Sequence, residues 1–241
     1  MSSSAILAVD TAYQCCSAAV LAADGRSAWR AEHIGSKHAE RILSMIEETL
    51  AEAGLAKEDI TLVAFGAGPG SFTGLRVACG TAQGIAWALG TKVAPVGNLE
   101  ADAAAAAAAA SLPAGARIAV LNDARMQEAY GALYEAPAPG ERPKELAAPE
   151  IVRPAEALSW LEKGGAQYVC GSAIAAYAGV LRVPEGTAEL PVPDSMILTL
   201  ARLGLLYEKE GLAVMPSLAA PLYVRDRVAL TMAERARGER L

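Results

Sequence analysis

The sequence is poor in the residues that most often do chemistry. Its 241 residues hold two histidines, His33 and His38, and four cysteines, Cys15, Cys16, Cys79 and Cys170. No Cys-x-x-Cys pair occurs, which argues against the common zinc cages. Cys15 and Cys16 adjoin in a strand-like run and so point to opposite faces. All four read as small apolar side chains of a reducing compartment. Basic charge is scarce too: 21 Lys and Arg against 27 Asp and Glu leave a net charge of −6. A chain that binds nucleic acid alone normally carries a basic patch to neutralise phosphates. No apolar run reaches the length of a membrane span, and residues 101–110 are alanine with one Asp. The N-terminal MSSSAILAVD has no basic n-region, and its apolar run stops at Asp10. These absences lead us to expect a soluble, cytoplasmic protein without a membrane segment.

Hydrophobic residues are plentiful, at 53%, enough for the core of one large domain or two lobes. SAILAVD (4–10) is a buried-strand pattern ending in Asp10. CCSAAVLAAD (15–24) and RSAWRAEHI (26–34), split by Asp24-Gly25, complete an antiparallel meander. A helix follows, with Ser36 as N-cap and Gly54 as stop. Ala39, Leu43, Ile46, Leu50 and Ala53 form one apolar stripe on it, and Ile42, Met45 and Thr49 a second. One stripe docks a helix on a sheet. The second calls for a further partner, either within the chain or in another protein. Strand 59–66, helix 72–89, strand 91–97 and an alanine-rich helix 99–111 come next. Leu112-Pro113-Ala114-Gly115 breaks the pattern, which places a first lobe at 1–112 and a second at 113–241. The C-terminal part of the second is free to return to the first.

ARIAVLNDARMQEAYGALYEA (116–136) restarts the order of parts: strand, terminal Asp123, turn, returning strand. A loop at 137–149, helix 154–163, strand 166–170 and helix 172–181 are expected after it. Asp194 caps a last helix, and the tail ends in a frayed, charged stretch. This order fits an α/β protein of two ribonuclease-H-like lobes. By fold analogy alone, Asp10 and Asp123 face an inter-lobe cleft from either side.

FGAGPGSFTGLRVACGTAQGIAWALG (65–90) resembles a phosphate loop at first sight. A Walker loop requires a lysine that is missing here, and Gly66, Gly68 and Gly70 fall at the wrong steps for a dinucleotide fingerprint. Ser71 is a helix cap. Gly80, Gly84 and Ala88 recur every four residues within the helix, where each glycine costs about 1 kcal/mol against alanine. A backbone must pass close to that stripe, either the chain's own sheet or another chain. Ala78, Ala82, Ile85 and Leu89 make the adjoining apolar face. Asp10 and Thr11 are either a weak nucleotide site or a turn closed by the Asp10 carboxylate on its own backbone. Asp123 and Arg125 pair with each other or face the cleft.

ILAVDTAYQCCSAAVL, KHAERILSMIEETL, AFGAGPGSFTGLRVACGTAQGIAWAL, NDARMQEAYGALY and PLYVRD together resemble the TsaB (YeaZ) family of bacterial threonylcarbamoyladenosine-biosynthesis subunits, with GPGSFTGLR the most specific block. The resemblance implies the two-lobed actin/Hsp70-like ATPase fold. It also implies a non-catalytic relative and partner of TsaD, the transferase that modifies an adenosine of tRNA. A TsaE-like ATPase joins the pair. Any ATP or ADP lies at the partner interface, and tRNA is not bound by this chain alone. TsaD-like subunits hold a metal with two histidines one helical turn apart. Here Ile42 stands four residues after His38, so no metal is expected. The expected interface is Ile42, Met45, Thr49, Ala78, Ala82 and Ile85, used for a homodimer in isolation. The alternatives are a stand-alone ATPase or a peptidase of the same fold.

Overall fold

The computed structural model describes residues 4–35, 37–194, 196–225 and 237. The expected cap Ser36 lies outside the described residues, as does nearly all of the tail after Arg225. The first sheet contains β1 (Ala5–Asp10), β2 (Cys15–Ala22), β3 (Ser27–His33), β4 (Ile60–Gly68) and β5 (Lys92–Gly97), in the order β3-β2-β1-β4-β5. β1, β2 and β3 pair antiparallel, whereas β4 and β5 run parallel to β1. All six residues of β1 are buried. It is therefore continuously apolar from Ala5 to Val9, because helices cover both faces of the sheet. Leu7 and Val9 face α1 (His38–Ala53) and α2 (Phe72–Leu89), while Ile6 and Ala8 face α6 (Met196–Lys209).

The second sheet contains β6 (Arg117–Arg125), β7 (Glu128–Glu135), β8 (Lys144–Val152), β9 (Tyr168–Cys170) and β10 (Ala188–Leu190), in the order β10-β9-β6-β7-β8. Read from its other end this is the order of the first sheet, again an antiparallel meander with parallel strands added. Both lobes are thus ribonuclease-H-like. The helices here are short: α4 (Ala157–Gly164) and α5 (Ala173–Ala176). Where a loop was expected at 137–149, β8 begins at Lys144. It is an edge strand with no fully buried residue before Val152, so it lacks an apolar signature. The helix expected over 172–181 is confined to α5.

Two helices tie the lobes. Alanine-rich α3 (Asn98–Ala109) packs Ala101 and Ala104 with the first sheet and Ala103, Ala106 and Ala107 with the second. α6 lies on the first sheet, although it follows the second lobe in sequence. At Gly204 a methyl group would come within 2.7 Å of both Ala64 and Ile6. Beyond α6, Val214 bridges to Val93 at the edge of β5.

Candidate functional site

A cavity of about 990 Å³ opens between the lobes, lined by Tyr13, Cys15, Ser71, Asp123, Arg125 and Tyr130 among others. Asp10 and Thr11 do not face it. Both are buried. The Asp10 carboxylate accepts from Asn98 Nδ2 at 2.9 Å and from the Ala12 N–H at 3.2 Å. Burial pushes its pKa up to about 6. The Thr11 hydroxyl donates to the Gly74 carbonyl at 2.7 Å. A side chain at Gly74 would strike the Thr11 carbonyl, and one at Gly66 would strike Asp10. The start of α2 thus packs directly against the turn that follows β1. Gly74 serves the close approach of two backbones, Gly66 leaves room for the Asp10 side chain, and the Asp10 carboxylate closes the turn after β1 on the Ala12 N–H. Asp10 and Thr11 are thus both engaged by groups of their own lobe.

Asp123 does reach the cleft. It pairs with Arg125 at 3.0 Å and accepts from the Tyr177 hydroxyl at 2.6 Å. Ser71 caps α2 as expected, accepting from the Gly74 N–H at 3.1 Å. His38 bonds through Nε2 to the Tyr13 carbonyl at 3.0 Å, which fastens the start of α1 to the cleft wall. Burial lowers its pKa, so the ring is a neutral donor to that carbonyl. Among the described residues no three His, Cys, Asp or Glu side chains are grouped to hold a metal.

Beneath the cleft lies a second polar pair that the sequence pattern did not reveal. Asp102 of α3 accepts from Asn122 Nδ2 of β6 at 2.6 Å, and Asn122 Oδ1 accepts from the Ser172 N–H at 3.0 Å. Burial, aided by the nearby charge of Asp10, pushes Asp102 up to about 7. A single acid within an alanine run was the visible signal. Its partner is contributed by the other lobe.

The outer face of the first lobe requires a larger correction. Ile42, Met45, Thr49, Ala78 and Ala82 are 0–1% exposed. They belong to the core under α1 and α2, where the Thr49 hydroxyl donates to the Met45 carbonyl. Ile85 is half-buried against that core. The two stripes on α1 join in a single buried face that includes Ile42, Met45, Ile46, Thr49, Leu50 and Ala53. Leu43, from the stripe expected inside, points outward and is 58% exposed. Charged replacements at Met45 or Ala82 would therefore disrupt the fold rather than report on docking.

On α2 the exposed side holds Gly80 and Gly84, with Trp87 at 72% and Phe72 at 41% exposure. A methyl group built on Gly80 or Gly84 meets no atom within 4 Å. Packing on the chain's own sheet therefore does not account for these glycines. Their bare backbone faces outward.

A family model described as TsaD, tRNA N6-adenosine threonylcarbamoyltransferase, matches residues 32–202. The Haemophilus influenzae tRNA threonylcarbamoyladenosine biosynthesis protein TsaB is 32% identical, over 92% of this chain and 94% of its own. This chain belongs to the TsaB family. Escherichia coli TsaB is 33% identical, over 93% of this chain and 96% of its own. The solved structure of YeaZ from Pseudomonas aeruginosa superposes with a TM-score of 0.74 at 32% identity, covering 91% of this chain and 99% of that one. For a TsaB-family chain the buried Asp10 and Thr11 and the outward glycines are the two features that bear most directly on role.

Proposed function

We propose that this chain is a non-catalytic subunit in threonylcarbamoyladenosine modification of tRNA, docking a TsaD-like transferase through the outer faces of α1 and α2. One observation carries the reading. Gly80 and Gly84 present open backbone beside exposed Trp87, and Leu43 is exposed on the neighbouring helix. Glycine within a helix costs stability unless something packs close to it. The partner supplies that packing with helices of its own, and a stable contact of this kind buries about 1,200–2,000 Å². Without the transferase the same face pairs two copies of this chain. Any ATP or ADP binds where the two subunits meet, and a TsaE-like ATPase completes the assembly in the cytoplasm. Membership of the TsaB family supports the reaction context. The burial of Asp10 and Thr11 supports a subunit that does no bond chemistry itself.

Co-purification with the transferase, followed by a tRNA modification assay with and without this chain, tests the proposal. Gly84→Arg should abolish co-purification and modification while leaving the circular-dichroism spectrum unchanged. Full modification without this chain, or ATP turnover by the chain alone that disappears in Asp10→Ala, would defeat it.

A further inference from the structure

After α6 the chain passes through a short helical turn, Pro216–Leu218. Residues 219–225 then run back along α2 as a strap. Gln83 Nε2 donates to the carbonyls of Pro216 and Ala219, each at 3.0 Å. The Leu222 N–H donates to the Ala67 carbonyl at 2.6 Å. At the start of α2, Arg76 Nε donates to the Tyr223 hydroxyl at 3.1 Å, and the Arg76 guanidinium lies 3.5 Å from the centre of the Phe72 ring. Tyr223 packs against Phe72 with ring centres 5.7 Å apart.

The far end of the strap crosses to the second lobe. Arg225 pairs with Glu128 and donates to the Ala124 carbonyl at 3.2 Å. Both partners flank the turn that joins β6 to β7. Three consecutive non-glycine residues there take positive φ: Arg125 at 62°, Met126 at 55° and Gln127 at 58°. Such a turn is strained and persists only where its surroundings hold it. Arg125 lines the cleft. A cavity of about 230 Å³ lies under the strap, walled by Phe72, Tyr130, Leu222 and Tyr223 among others. Near α6, which covers the face of the first sheet opposite α2, Arg142 of the second lobe bonds Glu100 of α3 and Glu210 after α6, each at 2.8 Å.

We infer that the strap is a mechanical link between the outer face of α2 and the gape of the inter-lobe cleft, with Arg225 on the β6–β7 turn as its catch. The Arg142 cluster and α3 form the hinge side. While the Phe72–Arg76–Tyr223 stack is intact, the strap holds the turn against the first lobe and the cleft stays closed. Phe72 and Tyr223 are 41% and 43% exposed, so a molecule that covers α2 touches the stack directly. Breaking or shifting the stack slackens the strap and lets the lobes part. The link operates whatever molecule covers α2.

The protein's own thiols report the gape. Cys15 is half-buried and lines the cleft, while Cys16, Cys79 and Cys170 are buried. The full chain is labelled with a maleimide at one fixed pH, because burial pushes the Cys15 thiol to about 11, and the products are mapped by peptide. Arg225→Ala should raise the Cys15 rate roughly tenfold and leave Cys170 unchanged, as expected for loss of a charge-assisted tie. Tyr223→Ala and Phe72→Ala should raise it by smaller factors, and Arg225→Glu combined with Glu128→Arg should restore the slow rate. If a single variant loosens Cys170 as well, the charge-swap pair decides, since restored protection supports the link and its failure overturns it. An unchanged Cys15 rate in Arg225→Ala overturns it. So does a rise confined to Arg225→Ala, with Tyr223→Ala and Phe72→Ala at the wild-type rate.

Discussion

The two lobes share a strand order but not a scale. Between β4 and β5 the first lobe carries the 18-residue α2; between β9 and β10 the second carries the four-residue α5. Likewise the 16-residue α1 has only the eight-residue α4 to match it. α1 and α2 together cover one face of the first sheet, and α6 covers the other. Their outer sides are then available as surface for another molecule. The second lobe has trimmed that surface away and retains the cleft wall and the Arg225 catch. One strand order thus carries two different helical layers.

The comparison breaks most visibly at the backbone contacts that shape the cleft floor. Gly74→Val would drive a side chain into the Thr11 carbonyl, and Gly171→Val into the Leu121 carbonyl of the second lobe. Each should cost about 3 kcal/mol or more in urea unfolding. A mild effect in one lobe only would show that the two floors are not equivalent. Next in size is docking. Leu43→Asp should weaken association with the sister subunit by about 2 kcal/mol or more, as for a central interface residue. Leu158→Asp, at a less exposed site on α4, should leave association unchanged. Equal losses in a binding titration would erase the distinction between the lobes.

A smaller effect concerns the buried acid between the lobes. Asp102 is raised from 3.8 to about 7. The folded state therefore holds a proton that the unfolded chain has lost, and stability falls as pH rises across that window. Asp102→Asn should flatten the fall. Thermal melts should show little change at pH 4 and a gain of roughly 1–3 kcal/mol at pH 8. The smallest effect is Gly80→Ala, which should stabilise the isolated chain by up to about 1 kcal/mol while weakening docking. A destabilised monomer would mean that the glycine serves its own fold after all.

Much of this was legible in the residues. The β1–β2–β3 meander, α1 and α2, and the caps at Gly54 and Ser71 follow from periodicity and local hydrogen-bonding chemistry. β8 and β10 were not legible, because edge strands with exposed polar residues carry no apolar signature, and β10 is only three residues long. The two α1 stripes merge into one face: Ile46, Leu50 and Ala53 of the first and Ile42, Met45 and Thr49 of the second are all buried, and Leu43 is left outside. Both stripes are apolar, and only the seating of the helix on β2 and β3 shows that they are buried together. The outward direction of Gly80 and Gly84 has the same origin. Asp102, Asn122 and the Arg225–Glu128 pair join positions 20 and 97 residues apart. Only the assembled lobes bring them together.

α3 sets the spacing of the whole molecule. Alanine loses no side-chain freedom on burial, so eight alanines form a slender shim that the two halves grip without entropic penalty in its side chains. The gap between the sheets is fixed by methyl groups. Every larger residue on either gripped side therefore acts as a wedge, and the width of the cleft above is written in the thinnest helix of the protein.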